Sequence, residues 1–477
     1  MRLGSFLKAP FLYQGKVDRP LFALFLAINL LVLTNSILHN PEIGYDARDH
    51  LMYINVLPYQ LPTSEDTQEF FSAPLPYFLP SLVDNACHRL NSVREAPGKI
   101  DDCLRNAGKS AQFINVILSL GVTFLIIKIA EVVRPGNRFL KISSLALLGV
   151  MTVYYKTFAQ VRGEPYVVLF AVWAIYLLSK MIYERESLTW RRGIGLGIIL
   201  GLLMLSRQWG VTLFPAILGL MGLVWIFDQS HRWQFGKTLL ISFIVAILIS
   251  GWFYLYLYQE HGSFLAFNRS PQAFSLTNQP LSFYRGTGLK DFVLFKSPIR
   301  DIFSNQFLPI FYSEIWGDYW GYFVFVKDHT GVDASGNENR ELINPYLGRV
   351  NAAALLPSLI LLAGMFTGIF HFTQLFRGDL KDKSRSLFYA FLLLFVIVSF
   401  LLFLYFLITY PIPDQGDTIK ATYLLHALVI LPILGAEFLE RMRLRYPTSY
   451  LVNLALLGLV FVHNLPAMIT RYRALLH

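Results

Sequence analysis

The chain has 477 residues, of which 55% are hydrophobic and 15% charged, and its mean hydropathy is +0.47. This composition is too apolar for a soluble globular protein of this length and indicates a polytopic membrane protein. The net charge is +10 at pH 7. Because no compact basic domain carries that charge, the sequence argues against nucleic acid as a partner.

Apolar stretches without charged residues recur along the chain and predict about 11 transmembrane helices. They lie at residues 20–38, 112–127, 142–155, 165–179, 193–206, 208–227, 238–259, 350–376, 386–413, 421–436 and 447–470. Two interpretations compete at 193–227, namely a hairpin that turns at Arg207 and a single kinked helix. The charge distribution favours the hairpin, and the predicted fold class is an all-α polytopic membrane protein.

The charge distribution also predicts an orientation. With the N-terminus inside, the six inner segments contain 21 Lys and Arg and the short outer segments contain six. The positive-inside rule then places both long loops, 39–111 and 260–349, outside. The first span lacks the cleavage site of a signal peptide and is a retained anchor. We expect one domain, 1–477, in a bacterial inner (plasma) membrane, with a cytoplasmic N-terminus and an outer active site.

The first long loop opens with a polar run at residues 45–54, YDARDHLMYI. In a helix Asp46, His50 and Tyr53 share one face, and Asp49 lies one residue to the side. A carboxylate at the membrane surface can act as a base on a lipid-borne substrate. The run therefore predicts Asp46 and Asp49 as catalytic residues and Arg48, His50 and Tyr53 as substrate-binding residues.

Charged residues also stand at the predicted outer ends of later spans, where contact with lipid makes them costly. They are Arg162, Glu164, Arg207 and Lys420. Each alone is more typical of a side chain that snorkels to the interface. All four share the predicted side of Asp46, so as a set they suit an anionic lipid headgroup, whose phosphate the cations would neutralise.

The second long loop contains an aromatic stretch at 307–326, interrupted by Glu314 and Asp318. Trp and Tyr rings beside a carboxylate suit sugar binding, so this loop is a candidate cap on the acceptor side, with Asp318 as a substrate-binding residue. An interfacial aromatic belt is the equal alternative. A proline-broken aromatic stretch at 70–78 in the first loop is typical of an interfacial segment.

The two cysteines, Cys87 and Cys103, both lie in the first long loop. An oxidising outer compartment favours a disulfide between them, worth about 3 kcal/mol through restriction of the unfolded loop. Two unpaired thiols are the alternative.

Several of these segments resemble motifs of the GT-C superfamily of membrane glycosyltransferases, in the branch of protein O-mannosyltransferases and aminoarabinose transferases. They are the run that begins at Asp46, residues 73–77 (APLPY), residues 162–165 (RGEP), residues 203–207 (LMLSR) and residues 420–425 (KATYLL). Two positions depart from the family pattern. Ala47 stands where a glutamate often follows the aspartate, and Thr422 stands where an arginine often precedes the tyrosine. Three interpretations are open: a different sugar, a rearranged phosphate clamp, or Asp49 in the leading role.

The resemblance implies a polyprenyl-phosphate sugar donor and transfer with inversion to a lipid, glycan or protein acceptor. Asp46 would be the base, Asp49 would orient it, and Arg162, Arg207 and Lys420 would hold the phosphate leaving group.

No histidine or cysteine cluster has metal-ligand spacing. Asp46, Asp49 and Asp318 could still bind a divalent cation through oxygen ligands. The rival function is a transporter or lipid flippase, for which many spans and buried charges are equally expected, although this chain lacks the paired halves typical of that class.

Overall fold

A computed structural model describes residues 9–91, 100–185, 188–286, 295, 305–324, 340–377, 383–412 and 418–472. These residues are 75% helical. One short antiparallel sheet, β1 (Leu12–Tyr13) and β2 (Lys16–Val17), precedes the first long helix. The structure confirms the predicted all-α class.

The described part of the chain contains 18 α-helices in the following order. They are α1 (Arg19–Leu38), α2 (Ala47–Val56), α3 (Leu75–Asn91), α4 (Asp102–Val133), α5 (Arg138–Gly149), α6 (Thr152–Ala159), α7 (Glu164–Tyr183), α8 (Trp190–Met204), α9 (Leu213–Phe227), α10 (Arg232–His261), α11 (Leu281–Arg285), α12 (Phe307–Trp316), α13 (Arg340–Ala353), α14 (Leu355–Gln374), α15 (Lys383–Thr409), α16 (Leu425–Leu428), α17 (Leu431–Arg445) and α18 (Pro447–Asn464). Short 3-10 helices lie at Ala9–Phe11, Gln208–Thr212, Leu276–Asn278, Ala421–Leu424 and Leu465–Met468.

Eight helical segments among the described residues are long and apolar enough to cross a membrane. Two bent pairs raise the number to ten: α5 with α6, at 66°, and Ala421–Leu428 with α17, at 46°. The remaining predicted span, 193–206, corresponds to α8. That helix has 15 residues, about 22 Å at 1.5 Å per residue, which is shorter than the hydrocarbon core of about 30 Å.

The chain reverses direction at Arg207, as the hairpin interpretation predicts. At the far end of α8, Arg192 contacts Glu184 at 2.8 Å, and at the far end of α9, Asp228 pairs with Arg185. Both contacts are with the segment that follows α7. Arg207, between the two helices, instead contacts Glu164 at the start of α7, so α8 and α9 run in opposite directions.

Glycines hold the first arm of this hairpin against α10. Gly193, Gly197 and Gly201 recur every four residues and therefore share one face of α8. A Cβ atom at Gly197 would lie 2.6 Å from the backbone oxygen of Ser242, and one at Gly193 would lie 2.9 Å from that of Thr238. Small residues at this spacing allow close backbone approach in membrane helices. The packing of α8 against α10 fixes the position of Arg207 along the axis of these helices.

The first long loop is shorter than predicted, because α4 begins at Asp102 and the last ten residues of the expected loop, 102–111, are helical. Asp101 starts the helix by accepting a hydrogen bond from the backbone nitrogen of Leu104, at 2.8 Å. A disulfide between Cys87 and Cys103 joins α3 to α4. The helix α2 lies within this loop and packs against both α3 and α4. In the second loop, residues 325 and 326 of the expected aromatic stretch lie outside the described residues.

Candidate active site

Asp46 and Lys420 meet, although 374 positions separate them in sequence. The Nζ atom of Lys420 donates to Oδ2 of Asp46 at 3.2 Å. Asp46 immediately precedes α2 and adopts a left-handed conformation with φ of 54°, which aspartate tolerates better than most residues. Its backbone oxygen accepts a hydrogen bond from His50 at 3.1 Å. The side chain of Asp46 is 41% exposed and that of Lys420 is 13% exposed.

The local charges keep the Asp46 carboxyl ionised. Burial alone would raise its pKa, but the positive charges of Lys420 and Arg162 outweigh burial, so the pKa of Asp46 lies below its usual value. An ionised carboxylate that faces solvent can accept a proton. The geometry therefore suits the role of a base.

Two arginines and two glutamates form an alternating chain behind Asp46. Arg162 binds Glu164 through two hydrogen bonds, at 2.6 and 2.9 Å. Arg207 contacts the same Glu164 at 3.2 Å and Glu69 at 3.0 Å. Bidentate hydrogen bonding between a guanidinium group and a carboxylate is strong and directional. Since both arginines are buried and already bound, an incoming phosphate would compete with Glu164 and Glu69 for them.

His50 and Tyr53 face the same side of α2, as the spacing predicts, and that side packs against the segment 69–77. Nδ1 of His50 lies 2.9 Å from the hydroxyl of Tyr77, and the hydroxyl of Tyr53 donates to the backbone oxygen of Ser72 at 2.8 Å. Burial lowers the pKa of His50 to about 4, so its ring is neutral at pH 7. Its Nε2 atom has no hydrogen-bond partner in the described part of the chain.

Asp49 and Arg48 differ in environment from Asp46. Asp49 accepts a hydrogen bond from the backbone nitrogen of Gln68 at 3.1 Å, and its backbone oxygen accepts one from the hydroxyl of Thr67 at 2.8 Å. These bonds fasten α2 to the segment that contains Glu69. Arg48 is exposed.

A second buried cluster lies where the second loop packs against α6. Oε2 of Glu314 accepts hydrogen bonds from Lys156 at 2.6 Å and from the Tyr45 hydroxyl at 2.5 Å. Asp318 lies 3.7 Å from Lys156. It also accepts backbone N–H bonds from residues 322, 323 and 324, at 3.3, 2.8 and 2.7 Å. Asp318 thus shapes the backbone of this loop.

Two tyrosine rings face the cations of the site. The ring centroid of Tyr45 lies 5.1 Å from Nζ of Lys420 and 5.4 Å from the guanidinium carbon of Arg162. The ring of Tyr423 lies 5.9 and 5.7 Å from the same two groups. These distances are within the range of cation–π attraction. Both rings therefore connect Lys420 to the buried Arg162.

An apolar cavity of about 530 Å³ opens beside these residues. Its wall contains Arg207, Trp209 of the 3-10 helix Gln208–Thr212 and Tyr423. Aromatic side chains of α15 (Tyr405 and Phe406) and of the segment after α10 (Phe267 and Phe274) complete it. Phe274 and Tyr405 are 55% and 53% exposed. The cavity thus extends from the charged cluster to the outer surface of the helix bundle.

The carboxylates expected to bind a divalent cation do not come together. In the described residues, Asp46, Asp49 and Asp318 belong to no group of three ligand atoms within 4.8 Å of one another. Such a group is formed by Asp84, His88 and Asp101 near the disulfide, where Nε2 of His88 already lies 2.6 Å from Asp101.

Sequence reasoning gave no role to Glu69, Lys156, Tyr45, Tyr77 or Tyr423. Lys156 carried a signal, since it ends an otherwise apolar span where an ionisable residue needs a partner. Glu69 carried none, because its partner Arg207 is 138 residues away. The departures from the family motifs also have a structural context. Ala47 is buried, and the Thr422 hydroxyl lies 2.9 Å from that of Thr157 in the interior.

The fold and the site together define a polytopic membrane protein with a charged, partly exposed site formed by loops and helix ends. No family model matches the sequence, and no curated protein matches it in a sequence comparison. The Archaeoglobus fulgidus oligosaccharyltransferase in its apo form aligns with 94% of this chain and 56% of its own, at 13% identity and a TM-score of 0.51.

Two further solved structures align with the chain. The Archaeoglobus fulgidus oligosaccharyltransferase AglB, in complex with an inhibitory peptide and a dolichol-phosphate, covers 94% of this chain and 56% of its own at 12% identity and a TM-score of 0.50. ArnT from Cupriavidus metallidurans in the apo state covers 87% and 76% at 12% identity and a TM-score of 0.39. The chain spans about half the length of the oligosaccharyltransferases. Over the aligned part, the chain shares the fold of the Archaeoglobus fulgidus oligosaccharyltransferase.

Proposed function

We propose that this protein transfers a sugar from a polyprenyl-phosphate donor to an acceptor at the outer face of a bacterial inner membrane, with Asp46 as the base. The observation that carries the proposal is the solvent-facing Asp46 carboxylate held against Lys420. Four other carboxylates of the site are hidden: the side chains of Glu69, Glu164, Glu314 and Asp318 are 5%, 2%, 0% and 0% exposed. Among these five, Asp46 is the one that a substrate can reach.

The chemistry is a single displacement. Asp46 removes the proton from the acceptor nucleophile as that atom attacks the anomeric carbon of the donor sugar. The bond from the anomeric carbon to the phosphate oxygen breaks, its electron pair leaves with the polyprenyl phosphate, and the configuration inverts. A positioned base contributes typically 10²- to 10⁴-fold to such a step.

Lys420 gives the leaving group a cation. Negative charge builds up on the phosphate in the transition state, where a fixed positive charge is most effective. Its ammonium group has three donors, so Lys420 can contact the phosphate and Asp46 together. The donor would then occupy Lys420 at the same time as the acceptor approaches Asp46.

Arg162 and Arg207 act from behind this pair. Their partners Glu164 and Glu69 hold both guanidinium groups in fixed positions at the bottom of the site, and such preorganised charge costs no rearrangement during the reaction. Asp49 keeps the orienting role, since its bonds to residues 67 and 68 hold α2 against the segment that carries Glu69. Arg48, which is exposed beside Asp46, would meet the substrate at the rim.

The apolar cavity supports a lipid-borne donor. A polyprenyl chain needs an apolar surface that begins at the phosphate and continues to the bilayer. The cavity begins at Arg207 and Tyr423 and ends at the exposed rings of Phe274 and Tyr405. A water-soluble nucleotide donor would have no use for that surface.

The test is sugar transfer by the purified protein in lipid nanodiscs, with a panel of synthetic polyprenyl-phosphate sugars and an acceptor extract. We expect Asp46→Asn to lower kcat at least 100-fold while insertion and thermal stability remain normal. Asp102→Asn is the matched control, because the Asp102 side chain is 93% exposed on α4. Wild-type protein that transfers no sugar, or an active Asp46→Asn variant, would overturn the proposal.

A further inference from the structure

We infer that Tyr45, Glu314 and Lys156 are positioning residues for Asp46, and that through them the second long loop controls where the base points. This inference rests on the proposed role of Asp46. The three side chains meet at one atom, Oε2 of Glu314, which accepts from the Tyr45 hydroxyl and from Lys156. Each comes from a different part of the chain: the first loop, α12 and α6.

The cluster is entirely shielded from solvent. The side chains of Lys156 and Glu314 are both 0% exposed, and Tyr45 is 2% exposed. A buried ion pair is a poor source of stability, because desolvation offsets most of the attraction and well-packed apolar side chains often do as well. What such a pair supplies is a fixed geometry for the groups that hydrogen-bond to it. Here the third group is the tyrosine that precedes Asp46.

Asp46 needs support from its neighbours. Its left-handed backbone is one that few residues with a side chain adopt, and such a conformation persists where the surroundings determine it. Its own side chain makes no capping bond to α2. On one side Ala47 is packed in the start of α2, and on the other the Tyr45 hydroxyl is fastened to Glu314. Loss of that bond would allow the 45–46 peptide to turn and would swing the carboxylate away from Lys420.

Tyr45 also positions the cations of the site. Its ring centroid lies 5.1, 5.4 and 5.6 Å from the charged groups of Lys420, Arg162 and Lys156. A shift of this ring would therefore displace the base and the phosphate-binding lysine together. Removal of the hydroxyl alone, in Tyr45→Phe, leaves the ring and separates the two contributions.

The second long loop is connected to Tyr45 and Asp46 through Glu314. Its other oxygen, Oε1, accepts from the backbone nitrogen of Trp320 at 3.2 Å, and the Trp320 ring donates to the backbone oxygen of Ile419 at 3.2 Å, next to Lys420. The segment 314–320 thus contacts Tyr45 and Ile419, the residues that precede Asp46 and Lys420 in the sequence. An acceptor that binds to this loop would act on Asp46 and Lys420 through these bonds.

The first experiment compares kcat and the donor KM for Tyr45→Phe, Glu314→Gln and Glu314→Leu. Because a misplacement of about 1 Å can cost 100-fold in rate, we expect Tyr45→Phe and Glu314→Leu to lower kcat by roughly 10- to 100-fold, with the donor KM unchanged within about twofold. Glu314→Gln keeps an oxygen for the tyrosine hydroxyl and should recover part of the loss. The double variant Tyr45→Phe/Glu314→Leu should be no slower than Glu314→Leu, because Glu314→Leu already removes the bond that Tyr45→Phe removes.

The matched control is Tyr154→Phe. Tyr154 is equally buried, lies in the same helix as Lys156 and bonds through its hydroxyl to Ser119 at 2.8 Å, but it contacts none of the three residues in the described hydrogen bonds. A purely structural role for Tyr45 would give both phenylalanine variants the same loss of kcat. That result would overturn the inference.

A second measurement, amide hydrogen exchange followed by mass spectrometry, does not depend on catalysis. Tyr45→Phe should speed exchange in residues 45–50 and in residues 318–324 together, whereas Tyr154→Phe should leave both unchanged. Unchanged exchange in Tyr45→Phe would refute the inference even in an active enzyme. If Tyr45→Phe speeds exchange in both segments but the protein transfers no sugar, the proposed function is wrong, whereas the inference that the three residues hold Asp46 stands.

Discussion

Glu69 and Arg207 form a buried ion pair, with 3.0 Å between Oε2 and Nη1. The pair ties the first long loop to the turn of the α8–α9 hairpin. Arg207 also contacts Glu164, so its positive charge serves two carboxylates that are at most 5% exposed. Removal of this one side chain would leave two buried negative charges with less compensation.

Arg207→Met should therefore destabilise the protein by about 3–5 kcal/mol, the range for breaking a buried pair from one side. Arg192→Met is the control, since the pair of Arg192 with Glu184 is 27% and 46% exposed and should contribute at most about 1 kcal/mol. Thermal unfolding of the two variants in the same detergent measures the difference. Equal losses would show that Arg207 is held by something other than these carboxylates.

Lys420→Met should change the pH dependence of catalysis. Lys420 is the leading cation among the charges that hold the pKa of Asp46 below its usual value. Without it that pKa rises, so Asp46 becomes protonated at a higher pH and the acid limb of the kcat/KM profile moves toward neutral pH. The donor KM should also rise, because the phosphate loses a partner. An unmoved acid limb would mean that another group is the base.

His50 should make stability depend on pH. Its pKa falls from 6.5 to about 4 on folding, chiefly through burial. The folded state therefore binds fewer protons than the unfolded state between these values. Its contribution is complete above pH 6.5 and is lost as pH falls toward 4, a change of about 3 kcal/mol.

The difference in Tm between wild type and His50→Gln, measured from pH 7.5 to pH 4.5, should reveal this loss, since the variant lacks the titrating ring. His231→Gln, at a histidine whose side chain is 36% exposed, should follow the wild type. Parallel curves for wild type and His50→Gln would contradict the assignment.

How far the sequence predicts the site depends on whether a residue's signal is local. Asp46, Arg162, Arg207 and Lys420 could be chosen because a charge at the end of an apolar span is conspicuous, and the structure brings them together. Their pairing could not be predicted. Arg162 and Arg207, the predicted phosphate ligands, bind Glu164 and Glu69, and no periodicity links Arg207 to Glu69, which lies 138 positions away.

The same distinction between local signals and long-range contacts applies to the fold. Hydropathy predicted the helices, and the charge distribution chose the hairpin at Arg207. The boundary at Asp102 was missed because a helix continues beyond the apolar stretch wherever capping and packing support it, and α4 has both in Asp101 and in its contacts with α3. The bends of 66° and 46° were also missed, since tertiary packing sets them.

The disulfide should contribute to stability through the first long loop. Cys87 and Cys103 are bonded and 16 positions apart, and closure of a loop of that length is worth about 3 kcal/mol. Cys87→Ser/Cys103→Ser should therefore lower Tm, and dithiothreitol should lower the Tm of wild type alone. A wild type that binds two maleimide groups without reduction would show that the bond does not form.

Glycines 195 and 197 offer a matched pair of substitutions on α8. A Cβ at Gly197 would lie 2.6 Å from the backbone oxygen of Ser242 and 2.6 Å from Cβ of Val245, whereas one at Gly195 would meet no atom within 4 Å. Gly197→Ala must therefore push α8 away from α10, at a cost of about 1–3 kcal/mol. Gly195→Ala should be neutral or stabilising, because alanine favours helix by up to about 1 kcal/mol over glycine.

Since α8 leads directly to Arg207, Gly197→Ala should also lower kcat. A Gly197→Ala variant with wild-type Tm and kcat would show that the α8–α10 contact does not set the position of Arg207.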